Sequence, residues 1–341
     1  MEPTAVRGAT SRANEKRNPA PVRGANDRDK SERDIERDMA GFAIRGVIVP
    51  LLTPYTDEGD GLDEGALRAH VQWLIDKGIH GLMPCGTTGE CALLTMAERK
   101  RILEVVIDAA SGRVPVMAHV GTATTRETIE LARHAQEHGA DAVSVVTPYY
   151  FTLPDDALVA HYCRVAEAVA ATPVFLYNIP QNTGNNLTAD VADAIVARCP
   201  NVSGIKDSSG SLAALEAYTK LAHGSFRVIC GSDRLICQAL QVGACASVSG
   251  NANVFPEIVV ALFHAFWRGD LDGARHQQER LDQVRNALGN GGSLSLLKRA
   301  LELRGLKGGP VRAPLPEVTA GHLSEARKTL QSPHLLPELA I

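Results

Sequence analysis

No apolar run in this 341-residue chain approaches the roughly 18 residues that a membrane-crossing helix needs, and no secretory leader pattern stands out. Strong charge of one sign is missing as well. The formal net charge of −4 leaves no basic footprint for nucleic acid and no strong field to steer a partner. The seven cysteines (Cys85, Cys91, Cys163, Cys199, Cys230, Cys237 and Cys245) are odd in number and never spaced as CxxC. That excludes a disulfide framework or a zinc site as the organising device, and a reducing, cytoplasmic compartment is expected. A P-loop is absent too. What remains is a protein that handles a small molecule.

Hydrophobic content of 45% and charged content of 22% are those of a globular protein, with length enough for one large α/β barrel or two ordinary domains. Residues 1–40 are unlike the rest. Arginine, acids, Asn, Gly and Pro dominate there, too apolar-poor to bury a core, so a disordered charged tail is expected. Its arginines are matched by acids in DRDKSERDIERD (27–38), which is unlike a mitochondrial transit peptide.

From Gly41 one unit recurs: a short apolar run, a Gly/Pro/Thr-rich turn, then an amphipathic helix. The runs fall at 46–54, 81–86, 114–120, 142–150, 173–180, 202–208, 226–233 and 244–250. Helical periodicity follows each, near 63–77, 95–111, 124–138, 155–171, 188–199, 210–222, 235–242 and 254–267. Eight strand–helix units specify a parallel sheet, and eight closes a (β/α)8 TIM barrel over residues 41–268. Two more helical stretches, 270–289 and 293–305, begin a C-terminal helical extension over 269–341. In such a barrel the chemistry lies at the C-terminal strand ends.

Those ends carry the unusual residues. Lys206 sits in VSGIKDSSG (202–210) as the last inward residue of the sixth strand, just before the chain turns out. A desolvated ammonium loses its charge more easily, so its amine can attack a carbonyl and form a Schiff base. A lone strand-end lysine would equally snorkel to solvent. After the second strand, GTTGE (86–90) offers Gly86, Thr87 and Thr88: flexible backbone, hydroxyls and N–H donors suited to a carboxylate, or simply a tight turn capping the next helix. Tyr177 in FLYNIP (175–180) shares a face with Phe175 and Ile179 and points into the mouth beside Lys206, either as a packed ring or as a proton shuttle. TPYY (147–150) ends the fourth strand, and its tyrosines suit an interface or the site. Gly231 at the seventh strand end, Ser249 at the eighth and Asn182 after the fifth complete the candidate substrate contacts.

Other features carry less. His134 and His138 lie four apart on one helix face, but without a glutamate next to the first, and no metal is expected there. His119 ends the third strand, near substrate or bonded in the core. GNGG (289–292) precedes a helix, as a phosphate turn or a plain helix entry does.

Together, GTTGE, TPYY, YNIP and GIKDSSG (204–210), in this order and spacing, resemble the dihydrodipicolinate synthase and N-acetylneuraminate lyase family of pyruvate-dependent Schiff-base aldolases, over about residues 44–335. The resemblance implies that Lys206 forms the imine with pyruvate and that Tyr177 is the general acid and base. It implies that Thr87 and Thr88 hold the carboxylate, with Thr87 also relaying protons. It implies that Tyr150 reaches into a neighbouring subunit of a homotetramer, a dimer of dimers. No cofactor beyond the covalent imine is implied.

The lysine-pathway synthase carries an arginine just before the Thr-Gly of this region, which grips the carboxylate of aspartate semialdehyde. Here YNIPQNTG places Gln181 and Asn182 there, and a neutral amide does not replace a bidentate guanidinium. The Asn-Thr-Gly here, with KDSSG (206–210), SGNANV (249–254) and GGPVRAPL (308–315), more closely resembles 4-hydroxy-2-oxoglutarate aldolases and related 2-keto-3-deoxy sugar-acid enzymes, which implies cleavage or condensation of a 2-oxo acid such as 4-hydroxy-2-oxoglutarate or a 2-keto-3-deoxy sugar acid. Thr87-Thr88, by contrast, is the pair of the synthase, which stays as the alternative. A non-catalytic 2-oxo-acid sensor is the third reading.

Overall fold

Eight short parallel strands form one sheet: β1 (Gly46–Pro50), β2 (Gly81–Met83), β3 (Met117–His119), β4 (Ala142–Val146), β5 (Val174–Asn178), β6 (Val202–Asp207), β7 (Arg227–Cys230) and β8 (Ala246–Val248). This computed structural model describes residues 44–331 apart from 58, 222–225 and 292; the tail expected over 1–40 and the chain after 331 lie outside them. The strand order is β2-β1-β8-β7-β6-β5-β4-β3, and a parallel bridge between Leu82 and Val116 closes the ring. The chain is a (β/α)8 barrel with C-terminal helices.

The helices wrapping it are α1 (Glu64–Asp76), α2 (Met96–Ala110), α3 (Thr125–Glu137), α4 (Asp155–Ala168), α5 (Ala189–Val196), α6 (Leu212–Tyr218), α7 (Ile236–Gln241) and α8 (Pro256–Trp267). Side chains of Asp63, Thr95, Thr124, Thr188 and Ser211 accept the free N–H groups at five of their starts, and Thr95 with Glu98 forms a full capping box. The polar residues ending each loop therefore also start the next helix.

Period-two alternation sorts the strand residues into two layers. Ile48, Met83, Met117, Ala142, Val146, Phe175, Tyr177, Ile229, Ala246 and Val248 fill the barrel interior. Their neighbours, such as Val47, Val145, Leu176, Ile205 and Val228, face the helix layer. The strands are shorter than the apolar runs. Pro84 and Pro148 follow β2 and β4 closely, and a residue without an N–H does not extend a ladder.

Beyond the barrel come α9 (Leu271–Ala287), α10 (Leu294–Glu302) and α11 (Ala320–Leu330). Gln278 of α9 accepts from the Cys237 N–H at 3.1 Å and donates to the Asp233 carbonyl at 2.8 Å, tying the extension to the β7–α7 connection. Two elements escape the periodicity: the four-residue turn Pro180–Thr183, too short to show a period, and α11, which buries only Ala326 and Leu330.

Candidate active site

Parallel pairing sets Tyr177 of β5 opposite Lys206 of β6, so both side chains rise to the same level of the barrel mouth. Both are buried, Lys206 at 4% exposure and Tyr177 at 1%. The lysine Nζ lies 3.8 Å from the centroid of the Tyr177 ring, and 3.9 Å from Met83 Sδ. Among the described residues no carboxylate forms an ion pair with it. The amine is thus held against a ring face and a thioether.

The pair directly above fixes this register. Asn178 Nδ2 donates to Asp207 Oδ1 at 2.8 Å, and the Ser209 hydroxyl donates to Asp207 Oδ2 at 2.6 Å. Burial raises the Asp207 carboxyl from its ordinary range, while these donors oppose that rise. Gly231, on the next loop, is required by close approach: a Cβ there would meet Ser208 Oγ at 2.0 Å and Lys206 Cε at 3.1 Å. Gly231 therefore gives the lysine its space and offers no side chain to a substrate.

The loop after β2 brings the hydroxyls. Thr87 Oγ1 lies 3.1 Å from the Tyr177 hydroxyl, in hydrogen-bond contact. Thr88 Oγ1 is 3.8 Å from where a Gly250 Cβ would stand, so this loop and the one after β8 meet over the barrel. Gly86 is buried, and a Cβ there would stand 3.6 Å from Met83 Cε. Lys206, Tyr177, Thr87, Thr88, Gly86 and Gly231 thus share one mouth.

Three candidates stand elsewhere. Tyr150 is 88% exposed and adopts φ 83°, a left-handed conformation unusual for a tyrosine. Its ring meets that of Phe151, itself 70% exposed, edge to face at 5.0 Å. Its neighbour Tyr149 packs against the barrel interior instead. Asn182 is exposed on the short turn after β5, while Gln181 donates its amide to the Ser208 carbonyl at 2.8 Å. Ser249 is fully buried at the end of β8, and its hydroxyl accepts from the Ala252 N–H at 3.2 Å and bonds Asp233, so it holds the β8 loop.

Sequence reasoning missed Met83, whose only signal was its inward place on the second strand. His119 is settled as a core residue. Its Nδ1 lies 2.6 Å from the Cys85 carbonyl, and its ring packs edge-on to Tyr177 at 5.8 Å. Burial, and then the Arg99 guanidinium, push its pKa well below the usual value, so it is neutral. His134 and His138 stack at 4.0 Å beside Glu104, 3.1 Å from His134 Nε2, and the other oxygen of Glu104 pairs with Arg101.

The profile of the Dihydrodipicolinate synthetase family matches residues 43–333. A 4-hydroxy-tetrahydrodipicolinate synthase of Methanopyrus kandleri is 38% identical over 298 residues, 87% of this chain and 99% of its own. An uncharacterized DapA-like lyase of Halobacterium salinarum is 42% identical over 274 residues, covering 80% of this chain and 89% of its own. Among solved structures, a prophage protein of the dihydrodipicolinic acid synthase family from E. coli K12, in complex with pyruvate, superposes with a TM-score of 0.81 at 33% identity, over 86% of this chain and 99% of that one.

Proposed function

Because this chain belongs to the dihydrodipicolinate synthetase family, and is a pyruvate-dependent aldolase or lyase of the Schiff-base class, we propose that Lys206 is its imine-forming residue and Tyr177 its proton carrier. The contact of Lys206 Nζ with the Tyr177 ring, and of that tyrosine's hydroxyl with Thr87, carries the assignment. The neutral amine attacks C2 of pyruvate. Protons delivered through Tyr177 and Thr87 let the former carbonyl oxygen depart as water, leaving the imine. The imine draws electrons from the C2–C3 region, so loss of a C3 proton gives an enamine whose C3 attacks an aldehyde carbon. Water then hydrolyses the product imine and frees Lys206. Run backwards, the same steps cleave a 4-hydroxy-2-oxo acid. No cofactor or metal enters this scheme.

Thr87, Thr88 and the backbone around Gly86 receive the pyruvate carboxylate in this reading, and Tyr150 enters the mouth of a neighbouring copy in a homotetramer. Its exposure next to Phe151, at a strained backbone angle, supports that role. For the second substrate we favour a short aldehyde such as glyoxylate or a sugar aldehyde. The turn after β5 offers only the amides of Gln181 and Asn182, and Gln181 is bonded to Ser208.

The synthase reaction with aspartate semialdehyde is the second reading, supported by the Methanopyrus relative and by the Thr87-Thr88 pair. Pyruvate consumption by purified protein, assayed separately with glyoxylate, sugar aldehydes and aspartate semialdehyde against a Lys206→Ala blank, separates the two. Turnover with aspartate semialdehyde alone would overturn the aldolase reading.

A further inference from the structure

A second lysine is as buried as the one in the mouth. Lys298 of α10 has no exposed side-chain surface, nor has Glu90, and its Nζ lies 2.5 Å from Glu90 Oε1. Glu90 is the last residue of GTTGE, at φ 60°, ψ 35°. A non-glycine residue there is strained unless its surroundings over-determine it.

The surroundings come from the far end of the chain. The Arg312 N–H donates to Glu90 Oε2 at 2.9 Å, so both carboxylate oxygens are held by residues more than two hundred positions away in sequence. Lys298 Nζ also donates to the Pro310 carbonyl at 2.6 Å and lies 4.2 Å from the centroid of the Tyr55 ring. The Arg312 guanidinium stacks on the same ring at 4.4 Å, pairs with Glu98 at 2.8 Å and donates to the Leu93 carbonyl at 3.0 Å. Gly308 and Gly309 let the segment pass: a Cβ on the first would meet the Lys298 carbonyl oxygen at 2.2 Å, and on the second the Tyr55 carbonyl oxygen at 2.4 Å. Glu90 and Thr87 share one turn, the Glu90 N–H donating to the Thr87 carbonyl at 3.0 Å. Thr53 fixes the adjoining Gly89 carbonyl at 2.8 Å.

We propose that Lys298 and Arg312 of the C-terminal extension are positioning residues for the reaction: through Glu90 they hold the GTTGE loop in the conformation that presents Thr87 and Thr88 to the substrate carboxylate. A buried ion pair adds little net stability over an apolar replacement, but it fixes a register strongly. The inference rests on the proposed carboxylate role of that loop, and it makes the extension part of the active-site construction.

The test is the full chain carrying Glu90→Gln with Lys298→Met, which removes both charges together and leaves neither unpaired. Two readouts are needed: hydrogen exchange of residues 86–94, and the pyruvate concentration that half-saturates borohydride trapping. Exchange about tenfold faster in 86–94, with β4 and β5 unchanged and half-saturation raised about tenfold, is expected. Wild-type exchange in that loop, or faster exchange with wild-type half-saturation, would overturn the proposal. If the double variant does not fold, Glu90→Gln alone, which removes the anion that Lys298 and the Arg312 N–H hold, is read in the same two ways, with effects smaller but of the same sign. Should the wild-type protein itself trap no pyruvate, the proposed function fails, and the exchange of 86–94 still decides whether the clamp orders the loop.

Discussion

Among the described residues two lysines are buried, each against the face of a tyrosine, and their other partners are opposite in kind. Lys206 in the barrel mouth meets the Tyr177 ring and a methionine sulfur; Lys298 behind the loop meets the Tyr55 ring, a carboxylate and a carbonyl. Burial is common to both and so does not make a nucleophile. The partners differ: a carboxylate at 2.5 Å and a carbonyl at 2.6 Å tie up the protons of Lys298, whereas Lys206 meets a ring and a thioether, and the proposed function needs its amine free to form the imine.

The first way to break this contrast is Lys206→Ala. It should lower turnover by roughly three orders of magnitude or more, because no other group supplies the amine, while leaving the melting temperature unchanged or slightly raised. Steady-state kinetics and a thermal melt check both halves. The mirror experiment is Lys298→Met, which leaves the Glu90 carboxylate buried without its cation. A loss of about 3–5 kcal/mol in denaturant unfolding is expected. Equal stability losses at the two lysines would erase the distinction.

Tyr177→Phe sharpens it from the side of the ring. The ring face on Lys206 survives and only the hydroxyl is lost, so turnover should fall by about 10²–10³-fold through lost proton transfer, with the fold intact. Retained turnover would reduce Tyr177 to packing.

A third buried base gives the smallest effect. His70 is fully buried with its Nε2 3.0 Å from the Asn253 carbonyl and, among the described residues, no anion paired with it, and burial pushes its pKa down to about 4. Below the ordinary histidine value the unfolded chain takes up a proton that the folded one refuses until about pH 4. Stability therefore falls as pH drops through that window, by about 2 kcal/mol at pH 5 from this residue. Urea unfolding at pH 7.5 and 5 should show the loss, and His70→Gln should lessen it.

The barrel was legible because its signals are local and repeat eight times. Apolar runs, turns and caps fixed every strand and barrel helix to within a few residues, since a buried parallel strand and an amphipathic helix each write their period into the chain. Lys206, Tyr177 and Thr87 were legible as motifs, but their contact was not. That depends on the β5–β6 register, which Asn178 and Asp207 secure across 29 positions. The bonds of Ser249 were not legible, because a serine in a glycine-rich turn gives no sign that its hydroxyl serves Asp233 and Ala252. The link from Lys298 to Glu90 was invisible for the same reason, its two ends being far apart in the chain and ordinary in isolation.

The most direct test of the central claim is to incubate the protein with pyruvate, reduce with borohydride and map the modified peptide by mass spectrometry. The account predicts one reduced pyruvyl group, on Lys206 alone, and none on Lys298. Modification at another lysine, or undiminished trapping in Lys206→Ala, would contradict it.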